Sequence, residues 1–222
     1  MFLCQTKVTH PLTYSLLSTM TTLDPLKQFT EWLEHAKSTE ATGRDLVTVP
    51  DTEAMTLCTS TPLGVPSARL VALKAVDTRG FVFCTNYKSR KSLELDANPH
   101  AALVFYWSGV HRSVRVVGKA HRISRAESEE HWRSRPRETR LGAWASPQSQ
   151  VLGDAGEVLQ RLEEVSARFE GMEEVEMPEF WGGWCVVPDE IEFWSGKASR
   201  LHDREGYLRQ EDGEWKVVCL AP

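Results

Sequence analysis

Apolar positions early in the chain recur with helical spacing. Leu26, Phe29, Trp32, Leu33 and Ala36 fall on one face of a helix predicted over 25–38. Asp24 stands where a cap belongs, and Pro25 takes the first helical position, where a missing N–H costs nothing. Residues 39–53 are polar and read as a loop. From residue 54 the period shortens. Strands are predicted over 54–60, 68–76, 80–85, 100–107 and 112–122, and Asp77-Thr78-Arg79-Gly80 marks 68–85 as a hairpin. The run Ala101 to Trp107 is apolar at every position, the pattern of a strand covered on both faces. Between strands, 89–97 reads as a short helix with Ser89 as its cap and Asn98-Pro99 as its stop. Helices are also predicted over 125–135 and 155–170, the second with Val158, Leu162, Val165 and Phe169 on one face. After Trp181 strands return, over 182–187, 189–195, 198–204, 206–210 and 214–219. No repeat or linker divides the chain. Short antiparallel strands with a few helices predict one α+β domain around a β-barrel.

The 222 residues are 41% apolar and 26% charged, an ordinary balance for a protein with a sizeable core. The net charge of −5 argues against a general nucleic-acid binder, and no window approaches the roughly 18 apolar residues of a membrane span. The five cysteines form no Cys-x-x-Cys pair and no His/Cys cluster has zinc-site spacing, so no metal is expected and a reducing compartment, the cytoplasm, fits. Residues 1–23 hold one cation, Lys7, and no acid, which makes a poor signal peptide and suggests a flexible tail; Met20 could be an alternative start.

Chemistry enters with the cations. Arg69 and Lys74 share one predicted strand, Arg112 and Arg115 another, and Ser89-Arg90-Lys91 opens the short helix. Strand cations beside Val71, Leu73, Val114 and Val116 need anions if buried. A helix N-terminus with Arg90 and Lys91 suits a phosphate. The same cations also fit surface charge on a barrel exterior, and the residues alone leave both open. A second cluster, Arg133, Arg135, Arg137 and Arg140, is either a solvated helix end or a second phosphate clamp. A third, Arg200-Leu-His-Asp-Arg204, would point Arg200, His202 and Arg204 to one face if it is a strand. Seven glutamates between Glu163 and Glu179 read as a solvated face.

In order along the chain stand Arg69-Leu-Val-Ala-Leu-Lys74, Gly80-Phe-Val-Phe-Cys-Thr-Asn86, Ser89-Arg-Lys91, Gly142-Ala-Trp-Ala-Ser-Pro-Gln-Ser149, Trp181-Gly-Gly183, Ile191-Glu-Phe-Trp194 and Arg200-Leu-His-Asp-Arg204. This ordered set, running from Asp24 to Pro222, resembles the pyridoxamine/pyridoxine 5′-phosphate oxidase family. The resemblance implies an FMN-binding split β-barrel, antiparallel and Greek-key-like with peripheral helices, that works as a homodimer with both subunits at each flavin. It implies a tail over 1–23 and one oxidase domain over 24–222, whose segment from about 171 to 222 carries dimerisation and substrate contacts. It implies that FMN is held by Arg69, Leu70, Val71, Ala72, Leu73, Lys74, Cys84, Thr85, Arg90, Lys91, Ser113, Gln148, Ser149, Trp194 and Arg204. Substrate would be held by Lys74, His131, Arg135, Thr139, Arg200 and His202, with Arg200 and His202 over the pyridine ring as the catalytic pair. The implied reaction oxidises pyridoxine or pyridoxamine 5′-phosphate to pyridoxal 5′-phosphate with O2, giving H2O2, and involves neither nucleic acid nor membrane.

Departures from the family pattern keep two alternatives open, an altered substrate and a non-catalytic carrier of FMN or pyridoxal phosphate. Cys84 stands where an aromatic residue is usual, Ser113 replaces Gln, His131 replaces Tyr, Thr139 replaces Ser, and Cys185 replaces Arg. An N-terminal Arg/Tyr lid is not recognisable, Tyr14 being the one remnant.

Overall fold

The computed structural model describes residues 24–39, 50–154 and 156–222. The expectations for 1–23, Tyr14 and Met20 among them, and for most of the 39–53 loop lie outside these. The elements are α1 (Pro25–Thr39), β1 (Ala54–Ser60), β2 (Pro66–Asp77), β3 (Gly80–Asn86), α2 (Arg90–Ala97), β4 (His100–Trp107), β5 (Arg112–Arg122), α3 (Arg125–Arg133), α4 (Arg137–Ala145), α5 (Glu157–Arg168), β6 (Trp181–Ser195), β7 (Asp203–Arg209) and β8 (Trp215–Cys219). The strands pair in the order β3-β2-β1-β4-β5-β6-β7-β8, all antiparallel. β6 also returns to β3. Six strands therefore close a barrel, which removes free edges, and β7 and β8 extend it as a flap.

Alternation drives closure. In β1, Met55 and Leu57 are fully buried while their neighbours are half-exposed. Asp24 caps α1 by accepting from Leu26 N–H at 2.9 Å. The helix then presses Phe29 against Phe81 and Phe105, each with ring centroids 4.8 Å away. Burying such a ring stabilises by about 1.5–3 kcal/mol. A second apolar cluster, Trp132, Phe169, Val175, Met177 and Trp181, fastens the α3–α5 region to the start of β6.

Several expectations need correction. The strands predicted over 182–187 and 189–195 are one strand, β6, with Pro188 inside it. Proline is tolerated there because the β5–β6 register shifts between Val117 and Gly118, and Gly118 faces Pro188. A Cβ on Gly118 would lie 2.0 Å from the Val187 carbonyl oxygen, so the crossing admits only glycine. The strand predicted over 198–204 is a loop as far as His202, and β7 begins at Asp203. Arg200 adopts a left-handed φ of 61°, so Arg200, His202 and Arg204 do not share one strand face. β4 is not covered on both sides within one chain: its buried residues alternate with less buried ones, and Tyr106 is 58% exposed. The helix predicted over 125–135 stops at Arg133, and Pro136 separates it from a helix that periodicity missed, α4. No helix among the described residues is long and apolar enough to cross a membrane.

Candidate functional site

Arg69 and Arg90 come together where β1, β2 and α2 meet. Arg69 donates from Nη1 to the Leu57 carbonyl (3.2 Å) and Thr59 (2.6 Å), and from Nη2 to Ser67 (2.6 Å) and Glu94 (3.4 Å). Glu94 is the anion that Arg69 required. It is buried, accepts from Thr59 and Ser67 at 2.5 Å, and takes Arg90 Nε at 2.9 Å one helical turn away. Burial would raise its pKa, but the bonds from Ser67, Thr59 and Arg90 hold it down at about 2. The remaining donors of Arg90 face solvent, since its side chain is 59% exposed.

Lys91 differs. It is buried, and its Nζ donates to Thr85 (3.1 Å), Ser89 (3.1 Å) and Gln148 (2.7 Å), all neutral. Burial, with help from the charge of Arg69, lowers its pKa to about 8. Ser89 serves here as a Lys91 acceptor and makes no side-chain cap, contrary to expectation. A buried ammonium without a carboxylate partner is a site short of one negative charge. Arg90, Glu94 and Ser149 help line an adjoining cavity of about 530 Å³. Ser149 holds a left-handed φ of 72°, which turns the chain beside Gln148. The donor set fits a phosphate: Lys91 and Arg90 retain charge to give, while Arg69 is committed to protein oxygens.

A second cavity of about 370 Å³ has Gln148 in its wall. Cys84, Thr85, Arg135, Thr139, Ser146, Gln148 and Trp181 are among its walls. Arg135 lies over the rings of Trp181 (5.0 Å) and Trp132 (5.5 Å) and donates to the Thr139 carbonyl at 2.9 Å. Burial lowers its pKa. Burial likewise pushes the Cys84 thiol up to about 12 against the opposing charges of Lys74 and Arg135, so the thiol stays neutral. Lys74 is exposed and falls where the β2–β3 register shifts between Leu73 and Ala75, a bulge that re-aims its side chain. His131 is half-buried on α3, one turn before Arg135. Of the remaining β2 residues, Leu73 belongs to the core, Val71 and Ala72 are half-buried, and Leu70 is 74% exposed.

The third group is elsewhere. Ser113, Trp194 and Arg204 are opposite one another in adjacent strands. His202 packs on Trp194 with ring centroids 4.7 Å apart, and its Nδ1 accepts from Lys197 N–H at 3.0 Å, which leaves Nε2 to carry the ring proton when the imidazole is neutral. Arg200 turns out from the same loop. Trp181, beside the second cavity, and Trp194 are thirteen residues apart on β6, at strand rise roughly 40 Å. One chain thus brings Arg69, Thr85, Arg90, Lys91 and Gln148 together, with Arg135 and Thr139 adjoining, and keeps Ser113, Trp194, Arg200, His202 and Arg204 apart from them. Glu94 and Glu192 were missed as supporting residues; the Arg90–Glu94 spacing of four was a legible signal for the first.

The comparisons fit this geometry. Residues 42–169 match the family model described as pyridoxamine 5′-phosphate oxidase, and residues 181–222 match the pyridoxine 5′-phosphate oxidase C-terminal dimerisation region. A pyridoxine/pyridoxamine 5′-phosphate oxidase of Thermosynechococcus vestitus is 50% identical over 199 residues, 90% of this chain and 89% of that protein. One from Microcystis aeruginosa is 48% identical over 207 residues, 93% and 92% of the two chains. Among solved structures, PhzG from Burkholderia lata 383 in complex with tetrahydrophenazine-1-carboxylic acid superposes with a TM-score of 0.80 at 29% identity, covering 90% of this chain and 93% of that one. A pyridoxamine 5′-phosphate oxidase-related, FMN-binding protein from Nostoc punctiforme shares the fold, with a TM-score of 0.69 at 17% identity over 91% of this chain and all of that one. The closed barrel with its flap is the split barrel of these proteins, and with both halves of the family pattern present in order, the chain belongs to the pyridoxamine 5′-phosphate oxidase family.

Proposed function

We propose that the protein is an FMN-dependent oxidase converting pyridoxine 5′-phosphate or pyridoxamine 5′-phosphate to pyridoxal 5′-phosphate, with O2 as acceptor and H2O2 as second product. The observation that carries this reading is a pair of cations joined through Gln148: Lys91, a buried ammonium short of an anion, bonds Gln148, and Gln148 lines the cavity that also holds the half-buried guanidinium of Arg135. Two phosphorylated molecules side by side, a flavin nucleotide and a phosphorylated vitamer, satisfy both. The names of relatives at 48–50% identity support the same reaction.

In this reading Lys91 and Arg90 hold the FMN phosphate, and Arg69, steadied by Glu94, adds positive field behind them. Thr85, Gln148 and Ser149 supply neutral hydrogen bonds, and the segment Leu70 to Lys74 runs along the flavin with Cys84, Leu73 contributing backbone only because its side chain is in the core. Arg135, Thr139, His131 and Lys74 hold the substrate phosphate. Arg200 and His202 cover the pyridine ring, the imidazole donating from Nε2, and Arg200 stabilises negative charge that develops there. The chemistry supplied by bound FMN is acceptance of two electrons from the substrate C4′ carbon and their delivery to O2. No side-chain nucleophile is called for. The chain's work is to bind, orient and exclude water.

The homodimer follows from the same geometry. A site needing Lys91 at one end of β6 and Trp194, Arg200, His202 and Arg204 at the other is completed by a second copy. The match of 181–222 to a dimerisation region supports this. Residues 24–222 then act as one oxidase domain. The four described cysteines, all unpaired, suit a reducing compartment, and the reading places the enzyme in the cytoplasm.

The test is turnover. FMN-loaded protein given either vitamer phosphate in air should form aldehyde and peroxide in equal amounts. Peroxide without aldehyde, or neither product, refutes the reading.

A further inference from the structure

On the outer face of β5, β6 and β7, beside the Trp194–His202 pair, a buried carboxylate holds two arginines. Glu192 is 6% exposed. Its Oε1 accepts from Arg204 Nε at 2.7 Å, and its Oε2 accepts from Arg115 Nη2 at 2.9 Å and Nε at 3.3 Å. Arg115 also bonds Glu190. Arg204 is gripped a second time, donating from Nη1 to the Ala221 carbonyl at 2.7 Å, while its own carbonyl accepts from Leu220 N–H at 2.9 Å. Two of the three guanidinium nitrogens of Arg204 are thus fixed in the protein. Nη2 makes no hydrogen bond to another described residue. A planar fork held at two corners has its third corner aimed.

We propose that Glu192, with the Ala221 carbonyl, is a positioning clamp that aims Arg204 into the flavin site without touching the flavin itself. The inference rests on the reading that Arg204 completes that site. Glu192 sits directly opposite Gly206, two residues along β7 from Arg204, and its carboxylate reaches diagonally to that guanidinium. Arg115 does not hold Arg204 in place of Glu192; it occupies the second carboxylate oxygen and so keeps the first available to Arg204. Leaving Glu192 buried with one partner fewer would loosen the whole set.

The test is a double-mutant cycle on the full-length protein, read as FMN affinity by quenching of flavin fluorescence. Melting temperatures taken without flavin monitor the fold. R204A should weaken FMN at least tenfold. E192Q should weaken it about tenfold, equivalent to about 1.4 kcal/mol. In the R204A background the same E192Q change should alter affinity less than twofold, because its effect passes through Arg204. Equal losses from E192Q in both backgrounds would overturn the clamp, since Glu192 would then be acting through the fold or its charge alone. Unchanged affinity in E192Q would overturn it too. If R204A itself binds FMN normally, the underlying reading of Arg204 fails, a result distinct from the other two. Should E192Q not fold, E192D keeps the charge and withdraws the carboxylate by one methylene. It should weaken FMN in the parent and leave R204A unchanged, and additive losses would again overturn the proposal.

Discussion

Lys91 gives a pH test of the phosphate site with its sign fixed in advance. Its ammonium is buried among neutral oxygens, and its pKa falls from 10.5 to about 8. That fall corresponds to a cost of up to roughly 3 kcal/mol for the buried charge. Between pH 8 and 10.5 the unfolded chain binds the extra proton and the folded one does not, so the flavin-free protein gains stability as pH rises through this window. A bound phosphate supplies the missing counter-charge and restores an ordinary lysine pKa. The protonated form therefore binds phosphate up to roughly 300-fold more tightly than the neutral form. In the free protein the protonated fraction drops from about nine-tenths at pH 7 to about one-tenth at pH 9, so FMN affinity should fall about tenfold across that interval. Fluorescence titration at several pH values measures it. Riboflavin, which lacks the phosphate, should show no such slope. Lys91→Met should abolish the slope, weaken FMN by about 10- to 300-fold, and raise the stability of the flavin-free protein by about 1 kcal/mol after the lost bonds to Thr85, Ser89 and Gln148 are counted. A flat affinity between pH 7 and 9, or the same slope in the Met variant, would refute the reasoning.

Other outcomes follow from the same geometry. Arg135→Ala removes the half-buried cation of the second pocket and should raise KM for the vitamer phosphates by about 10- to 100-fold with a smaller change in FMN affinity, checked by steady-state kinetics and flavin titration. At pH 8 iodoacetamide should alkylate the exposed Cys219 and leave Cys84, held near 12, and Cys185, held near 11, unmodified; peptide mass spectrometry showing rapid Cys84 labelling would contradict its neutral, buried state. Phe29→Ala empties the space against Phe81 and Phe105 and should destabilise by about 3–5 kcal/mol in denaturant unfolding.

The sequence carried the barrel because its strands obey local rules. β1, β4 and β5 lie where alternation, apolar runs and turn residues put them, and α1 begins at its Asp24-Pro25 signal. What it hid depended on partners distant in the chain. Pro188 looked like a strand break and is accommodated by Gly118 across a register shift, a pairing that β6 alone does not reveal. The Arg200–Arg204 run alternated like a strand, but the left-handed turn at Arg200 and the Lys197 contact to His202 make it a loop. Arg69 and Lys91 read alike as cations. Only burial and partners separate them: Arg69 is paired with Glu94, and Lys91 is left without an anion. The gap between the Lys91 and Trp194 ends of β6 is likewise a property of the closed barrel rather than of any motif.

The most direct test of the oxidase account is an anaerobic titration of the FMN-loaded protein with pyridoxine 5′-phosphate, followed by flavin absorbance. The account predicts bleaching of the oxidised flavin band and its full return on admitting air, with one peroxide formed per flavin reoxidised. A spectral shift without bleaching would contradict it, because the two phosphate pockets would then bind their ligands without electron transfer between them.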